Sequence, residues 1–121
     1  MTITRYYTAT TLDGYLADEQ NSLAWLFEVE GDVDHAEEGF PTFFAGIGAM
    51  AMGATTYEWV LGREGVLEHP EKWSTFYGEV PLWVFSHRDL PVVPGANVIV
   101  TSADVASVHA DMTKAAAGKD I

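Results

Sequence analysis

Ala49-Met50-Ala51-Met52-Gly53-Ala54-Thr55-Thr56-Tyr57-Glu58 runs from a short apolar stretch, bounded by Gly48 and Gly53, straight into a segment with the marks of a helix start. Four consecutive apolar residues between glycines fit a strand buried on both faces. Thr55 and Glu58 have the spacing of a capping box, in which each side chain satisfies a free backbone donor of the other residue. A strand feeding a helix through a glycine turn is the repeating unit of parallel α/β sheets. Such a turn also leaves the first helical N–H groups unpaired and slightly positive, so an anion is bound there without a cationic side chain. Gly53 would let a phosphate approach the main chain. The same unit recurs in every parallel α/β protein, and taken alone it reads first as a structural turn.

Outward from this unit, the pattern continues. Pro81 to Ser86 and Asn97 to Thr101 read as two further strands, with Pro91, Pro94 and Gly95 punctuating the gap. Ser102 is placed to cap a last helix whose Val105, Val108, Met112 and Ala115 share one stripe, and Gly118 is placed to stop it. Between Gly62 and Gly78 a long loop is expected, with a helical turn at Glu71 to Tyr77. Toward the amino terminus, Ile3 to Thr10 is rich in β-branched and aromatic residues and is expected to form a strand ending at the Asp13-Gly14 turn. Phe40, Phe43, Phe44 and Ile47 recur at helical spacing within His35 to Ile47, and Pro41 either starts that helix or breaks it. Glu28 to Glu38 carries most of the local negative charge and is expected to be a solvated loop. Lys119-Asp120-Ile121 reads as the start of one more strand, so the sequence is expected to be a portion cut before its last strands.

Composition bounds the function. A chain of 121 residues holds one core, and residues 1–121 are expected to form a single domain. A net charge of −12, from 18 acidic and 6 basic residues, opposes binding to nucleic acid and offers no basic face to anionic lipid. The absence of cysteine excludes disulfides, thiolate chemistry and cysteine-ligated metal sites. No signal-like start and no apolar run of membrane-spanning length is present, which makes a cytoplasmic location the expectation. His35 lies among Asp32, Asp34, Glu37 and Glu38, but no second histidine stands at ligand spacing, and no metal site is expected. His69 and His109 are read as structural. Trp25, Trp59, Trp73 and Trp83 are read as core or core-edge residues, with Trp25 also a possible pocket wall. No nucleophile elbow and no phosphate-loop lysine occurs.

Ser86-His87-Arg88 closes the strand that starts at Pro81. Ligands of open parallel sheets gather outside the carboxyl ends of strands, where a hydroxyl and a guanidinium can grip phosphate. A plain solvent-exposed turn with a serine cap explains the same three residues.

Four segments occur in order: Thr11-Leu12-Asp13-Gly14-Tyr15-Leu16-Ala17, Trp25-Leu26-Phe27, Met52-Gly53-Ala54-Thr55-Thr56-Tyr57-Glu58 and Trp83-Val84-Phe85-Ser86-His87-Arg88. Together they resemble the dihydrofolate reductase-like superfamily, in particular the branch containing the C-terminal reductase domain of riboflavin biosynthesis proteins (RibD). The resemblance implies a three-layer α/β/α sandwich with a largely parallel central sheet, here without its C-terminal strands. It implies a nicotinamide-dependent reductase using NADPH or NADH. Gly53, Ala54, Thr55 and Thr56 would then sit against the cofactor phosphates, and Ser86, His87 and Arg88 near the adenosine ribose and its 2′-phosphate. Ala9 and the Asp13-Gly14 loop would lie near the nicotinamide, with Asp13, Trp25 and Glu37 as candidate substrate contacts. Glu37 enters because counting back from Gly53 lands near the acid that orients the pterin in dihydrofolate reductases. Ala54 departs from the family, which carries Arg there. Hydride transfer needs positioning and exclusion of water more than an acid or base, so no catalytic residue is assigned.

The implied activity is reduction of a small heterocycle, of the 5-amino-6-(5-phosphoribosylamino)uracil reductase type, ahead of dihydrofolate reduction; the Leu-Asp-Gly-Tyr segment sets that order. A homodimer is expected. The competing class is a non-catalytic nucleotide-binding or assembly domain, which an exposed sheet edge would favour.

Overall fold

A computed structural model describes residues 1–28 and 39–121, with the side chain of Phe27 outside the description. Two compact units divide the described residues: Met1–Thr4 with Gly46–Ile121, and Arg5–Ala45.

The smaller unit holds α1 (Ala24–Glu28) and α2 (Phe40–Ala45). Thr11 to Tyr15 closes into a turn: the Thr11 N–H donates to the Tyr15 carbonyl at 2.8 Å and the Tyr15 N–H donates to the Thr11 hydroxyl at 2.8 Å. Tyr7 stacks on Phe43, with centroids 4.4 Å apart, and meets Phe40 edge-on at 5.7 Å. Two expectations are corrected here. Ile3 to Thr10 forms no strand; Tyr6 and Tyr7 are exposed and the segment lacks a ladder. β-Branched and aromatic composition describes what fits a pleated surface, and without a paired neighbour it does not create one. The helix expected within His35 to Ile47 is, among the described residues, Phe40–Ala45, starting beside Pro41 where a missing N–H costs nothing. Ile47 is excluded from it and belongs to the other unit.

The larger unit follows the expected alternation. β1 (Met50–Gly53) leads directly into α3 (Ala54–Glu64), which ends at Gly65 in the left-handed region at φ 60°. α4 (Glu71–Tyr77) precedes β2 (Leu82–Phe85), and β3 (Val98–Thr101) precedes α5 (Val105–Ala116). The three strands pair in parallel in the order β1-β2-β3, with Met50 opposite Leu82 and Leu82 opposite Val98.

Strand alternation sorts the side chains of β2 into two cores. Leu82 and Val84 pack with Tyr57, Val60 and Leu61 of α3 and with Trp73 of α4. Trp83, with Phe85 beside it, packs on the other face with Val108, Met112 and Ala116 of α5. Helices thus cover both faces of the sheet, giving the three-layer α/β/α arrangement with a parallel sheet. Several details differ from expectation. β1 is shifted by one residue and half-covered, because Met50 and Met52 turn toward α3 while Ala51 is exposed. The buried stripe of α5 is Val108, Met112 and Ala116; Val105 and Ala115 are exposed. Asp104, not Ser102, caps α5, its carboxylate accepting from the Ser107 N–H at 3.1 Å. The helix stops at Ala117 in a left-handed conformation, one residue before Gly118. Trp59 is surface-exposed under the Arg63 guanidinium, whereas Trp73 and Trp83 are buried as expected.

The segment after α5 returns to the sheet. Asp120 bridges Ile47 in parallel, with the Gly48 N–H donating to the Asp120 carbonyl at 2.8 Å and the Asp120 N–H to the Gly46 carbonyl at 3.0 Å. The residues leading into β1 therefore lie beside Asp120, while β1 itself pairs with β2.

Candidate functional site

The path of the chain through the sheet defines where a ligand can enter. From β1 the chain moves through α3 and α4 on one face to β2 and then β3; from β3 it returns through α5 on the other face to Asp120, on the opposite side of β1. The direction of winding reverses at β1. In open α/β sheets the crevice outside the carboxyl ends of the strands at such a reversal is the usual ligand site.

Gly53, at the carboxyl end of β1, lies opposite Phe85, and Phe85 opposite Thr101. All three strands therefore end at the same edge. No loop residue separates β1 from α3, so the helix begins at that edge. Gly53 is its N-cap, at φ −80° and ψ 167°, and supplies no side-chain cap. The capping box expected at Thr55 and Glu58 does not form. With the helix starting at Ala54, Thr55 is already inside the first turn and cannot act as its cap. The first-turn N–H groups of Ala54, Thr55 and Thr56 consequently lack side-chain acceptors from the cap position. A Cβ built on Gly53 would meet no atom within 4 Å, so packing and backbone geometry both leave this position open.

Glu58 has another partner. Its Oε1 lies 2.7 Å from Nη2 of Arg88, which follows β2. That ion pair ties the turn after β2 to the early part of α3, so the Gly53–Thr56 segment and the Ser86–Arg88 segment face the same edge. Both groups are partly exposed, and neither holds the other rigidly. Ser86 sits inside its own turn: its hydroxyl donates to the Arg88 carbonyl at 3.1 Å and accepts from the Arg88 N–H at 2.9 Å. The hydroxyl thus shapes the turn that presents His87 and Arg88, both exposed. The uncapped helix start, the open Gly53 and the Arg88 guanidinium with its Glu58 partner thus lie at one end of the sheet; free first-turn N–H groups and a guanidinium are donors of the kind that phosphate accepts from.

The remaining candidates lie elsewhere. Ala9, Asp13, Gly14 and Trp25 belong to the smaller unit. Asp13 is exposed and its carboxylate accepts from the Thr11 hydroxyl at 2.6 Å, while Gly14 takes φ 92° in the turn. Trp25 is half-buried, and among the described residues its indole N–H has no hydrogen-bond partner. Glu37 lies outside the described residues, as do Asp32, Asp34, His35 and Glu38. His69 pairs with Glu71 at 3.5 Å and His109 with the Thr4 hydroxyl at 2.9 Å, both on the surface. No helix among the described residues is long and apolar enough to cross a membrane.

A cavity of about 530 Å³ opens at the other end of the sheet, where Gly78 and Glu79 precede β2 and Pro94 to Asn97 precede β3. Its lining carries the Glu71 and Glu79 carboxylates and no Lys or Arg, which opposes an anionic ligand. For a phosphate-bearing ligand the donors at the carboxyl ends of the strands are the better chemical match.

Known proteins resemble this one in fold and, over part of its length, in sequence. No family model matches the chain. The uncharacterized protein YwjB of Bacillus subtilis (strain 168) is 35% identical over 66 residues, which cover 54% of this chain and 36% of that protein. Among solved structures, a "Putative riboflavin biosynthesis protein" from Shewanella sp. PV-4 superposes with a TM-score of 0.69 and 23% identity, over 93% of this chain and 59% of that one. The likeness shows a shared fold, in agreement with the α/β sandwich expected from the sequence. The chain spans about a third of the length of the curated relative and under two thirds of the solved one.

Proposed function

We propose that this chain is the nucleotide-binding part of an NAD(P)H-dependent reductase that acts on a small heterocycle, of the 5-amino-6-(5-phosphoribosylamino)uracil reductase type. The observation that carries the proposal is the uncapped start of α3 at the reversal of the sheet, with open space over Gly53 and Arg88 drawn to the same edge. The riboflavin-biosynthesis description of the Shewanella neighbour supports the substrate class, and the sequence resemblance supports the cofactor class.

When bound, the nicotinamide ring would supply the hydride. The work of this chain is to hold the carrier: the Ala54, Thr55 and Thr56 N–H groups donate to phosphate oxygens, and the absence of a Cβ at Gly53 lets the phosphate reach them. His87 and Arg88 receive the adenosine end. The roles of Ala9, Asp13, Gly14 and Trp25 rest on the resemblance. A homodimer in the cytoplasm is part of the same proposal.

One observation favours a second reading, an assembly domain. β3 pairs with β2 on one side, and among the described strands nothing pairs with its other side, where an added strand from a second copy would fit.

Titration of NADH and NADPH followed by tryptophan fluorescence tests the primary reading. Saturable quenching is expected, and Gly53→Ala should weaken it about tenfold or more while leaving thermal unfolding unchanged, since the methyl meets only open space. Absence of quenching, or equal binding by Gly53→Ala, contradicts the proposal. Association in light scattering without nucleotide binding would favour the assembly reading.

A further inference from the structure

β3 is a strand with one side open, and the chemistry of that side selects its partner. Resting on the homodimer of the proposed function but not on its nucleotide site, we infer that two copies of this chain join edge to edge through β3, antiparallel, about a two-fold axis at Ile99.

Backbone register supplies the bonds. A strand in a parallel pair turns the N–H and C=O groups of alternate residues toward its neighbour. The Leu82 N–H donates to the Asn97 carbonyl and the Ser86 N–H to the Thr101 carbonyl, both at 2.9 Å, so Asn97, Ile99 and Thr101 face β2. Val98 and Val100 therefore turn their N–H and C=O groups away from β2, and among the described residues no strand meets them there. A second β3 running the opposite way satisfies all of these groups. Val98 of each copy exchanges hydrogen bonds with Val100 of the other, and Ile99 stands opposite its twin in the non-hydrogen-bonded position. The pairing closes as a two-fold dimer, the commonest symmetry of soluble oligomers.

The side chains suit the same junction. Ile99 is in register with Trp83, on the face that α5 covers over Trp83, yet it is 38% exposed. Pairing with its twin covers apolar surface that the single chain leaves in water. Val98 and Val100, on the other face, pack against the core that holds α3, and they meet their β-branched counterparts across the junction.

Charge limits which surface can self-associate. A net charge of −12 makes two copies repel. From Asn97 to Ala103 no residue is charged, so β3 meets its twin without setting like charges face to face. Edge strands of lone domains are guarded by a lysine, a proline or a bulge, and none of these interrupts Val98 to Thr101. β3 has only 4 residues, so the ladder is short, and a dissociation constant on the order of micromolar is expected.

The chain contains no cysteine, which makes Ile99→Cys a direct reporter. Facing residues of a non-hydrogen-bonded pair stand about 4.5 Å apart between Cα atoms, within reach of a disulfide. Under copper phenanthroline, Ile99→Cys should therefore form a covalent dimer about tenfold or more faster than Val105→Cys, an exposed position at the start of α5. Sedimentation equilibrium of the unaltered chain from about 1 to 200 µM should show a reversible dimer. Ile99→Lys sets two like charges face to face, and Val98→Pro removes an N–H from the open side. Each should weaken dimerisation about tenfold or more while far-UV circular dichroism shows a folded chain. Should either unfold the chain, the cysteine comparison decides. A monomer throughout the concentration range overturns the inference and the homodimer together. A dimer that survives both substitutions, or equal oxidation at the two cysteine positions, overturns the β3 junction and leaves the homodimer standing on another surface. Nucleotide quenching, measured on the same samples, reports the nucleotide site independently of both.

Discussion

Tyr57 carries a phenol into the core beneath α3 and donates its hydroxyl hydrogen to the Pro91 carbonyl at 2.7 Å. Burial raises its pKa from 10.0, opposed in part by a backbone hydrogen bond with Val93. Burial also raises Tyr77, and the Glu64 carboxylate adds to the effect. Both phenols hold their protons more tightly when folded than when unfolded, so their contribution is complete below the unfolded value of 10.0 and is lost as pH climbs through the raised folded values. Denaturant midpoints should therefore fall above about pH 10, and Tyr77→Phe should lose less stability between pH 9 and about pH 11 than the unaltered chain. An identical loss in both proteins would contradict the assignment. At this scale the sequence was partly readable. Gly53 and the Ser86-His87-Arg88 cluster stood out by type and position. Glu58 did not, because its Arg88 partner is thirty positions away and the local spacing pointed to a capping box.

Elements were readable where chain chemistry forces their ends. β2 and β3 fall within one residue of expectation because Pro81, Pro91, Pro94 and Gly95 bound them, and α4 matches Glu71 to Tyr77. The face that α5 buries was not, since both the expected stripe and the observed one have helical periodicity. A contact between backbones chooses between them. A Cβ on Gly48 would come within 2.5 Å of the Ala116 carbonyl oxygen and 2.7 Å of its Cα, so helix and pre-β1 segment touch at a place only glycine fills. This close approach turns Ala116, and with it Met112 and Val108, toward the sheet. Gly48→Ala should cost about 1–3 kcal/mol of unfolding free energy, as overpacking does, whereas Gly62→Ala, at an exposed position of α3, should not. Equal stability of the Gly48→Ala protein would mean that the helix can slide away. The amino-terminal residues failed as a strand for a related reason: their pattern was right for a sheet, but Ile3 meets Asp120 and Ile121, and Thr4 meets His109, through single hydrogen bonds that build no ladder.

Across the whole molecule, an acidic chain presents the uncapped start of α3 and the Arg88 guanidinium at one end of its sheet. The parallel order of the strands and the return of the chain past β1 bring helix start and arginine together there; neither is visible as a constellation in the linear sequence. The other end holds a cavity of about 530 Å³ lined by Glu71 and Glu79. Amide chemical shifts recorded while NADH is added discriminate directly between the two ends. The account predicts saturable shifts concentrated at Gly53 to Thr56 and at Ser86 to Arg88. Shifts centred instead on Trp73, Glu79 and Asn97, or no saturable shifts at all, would contradict it.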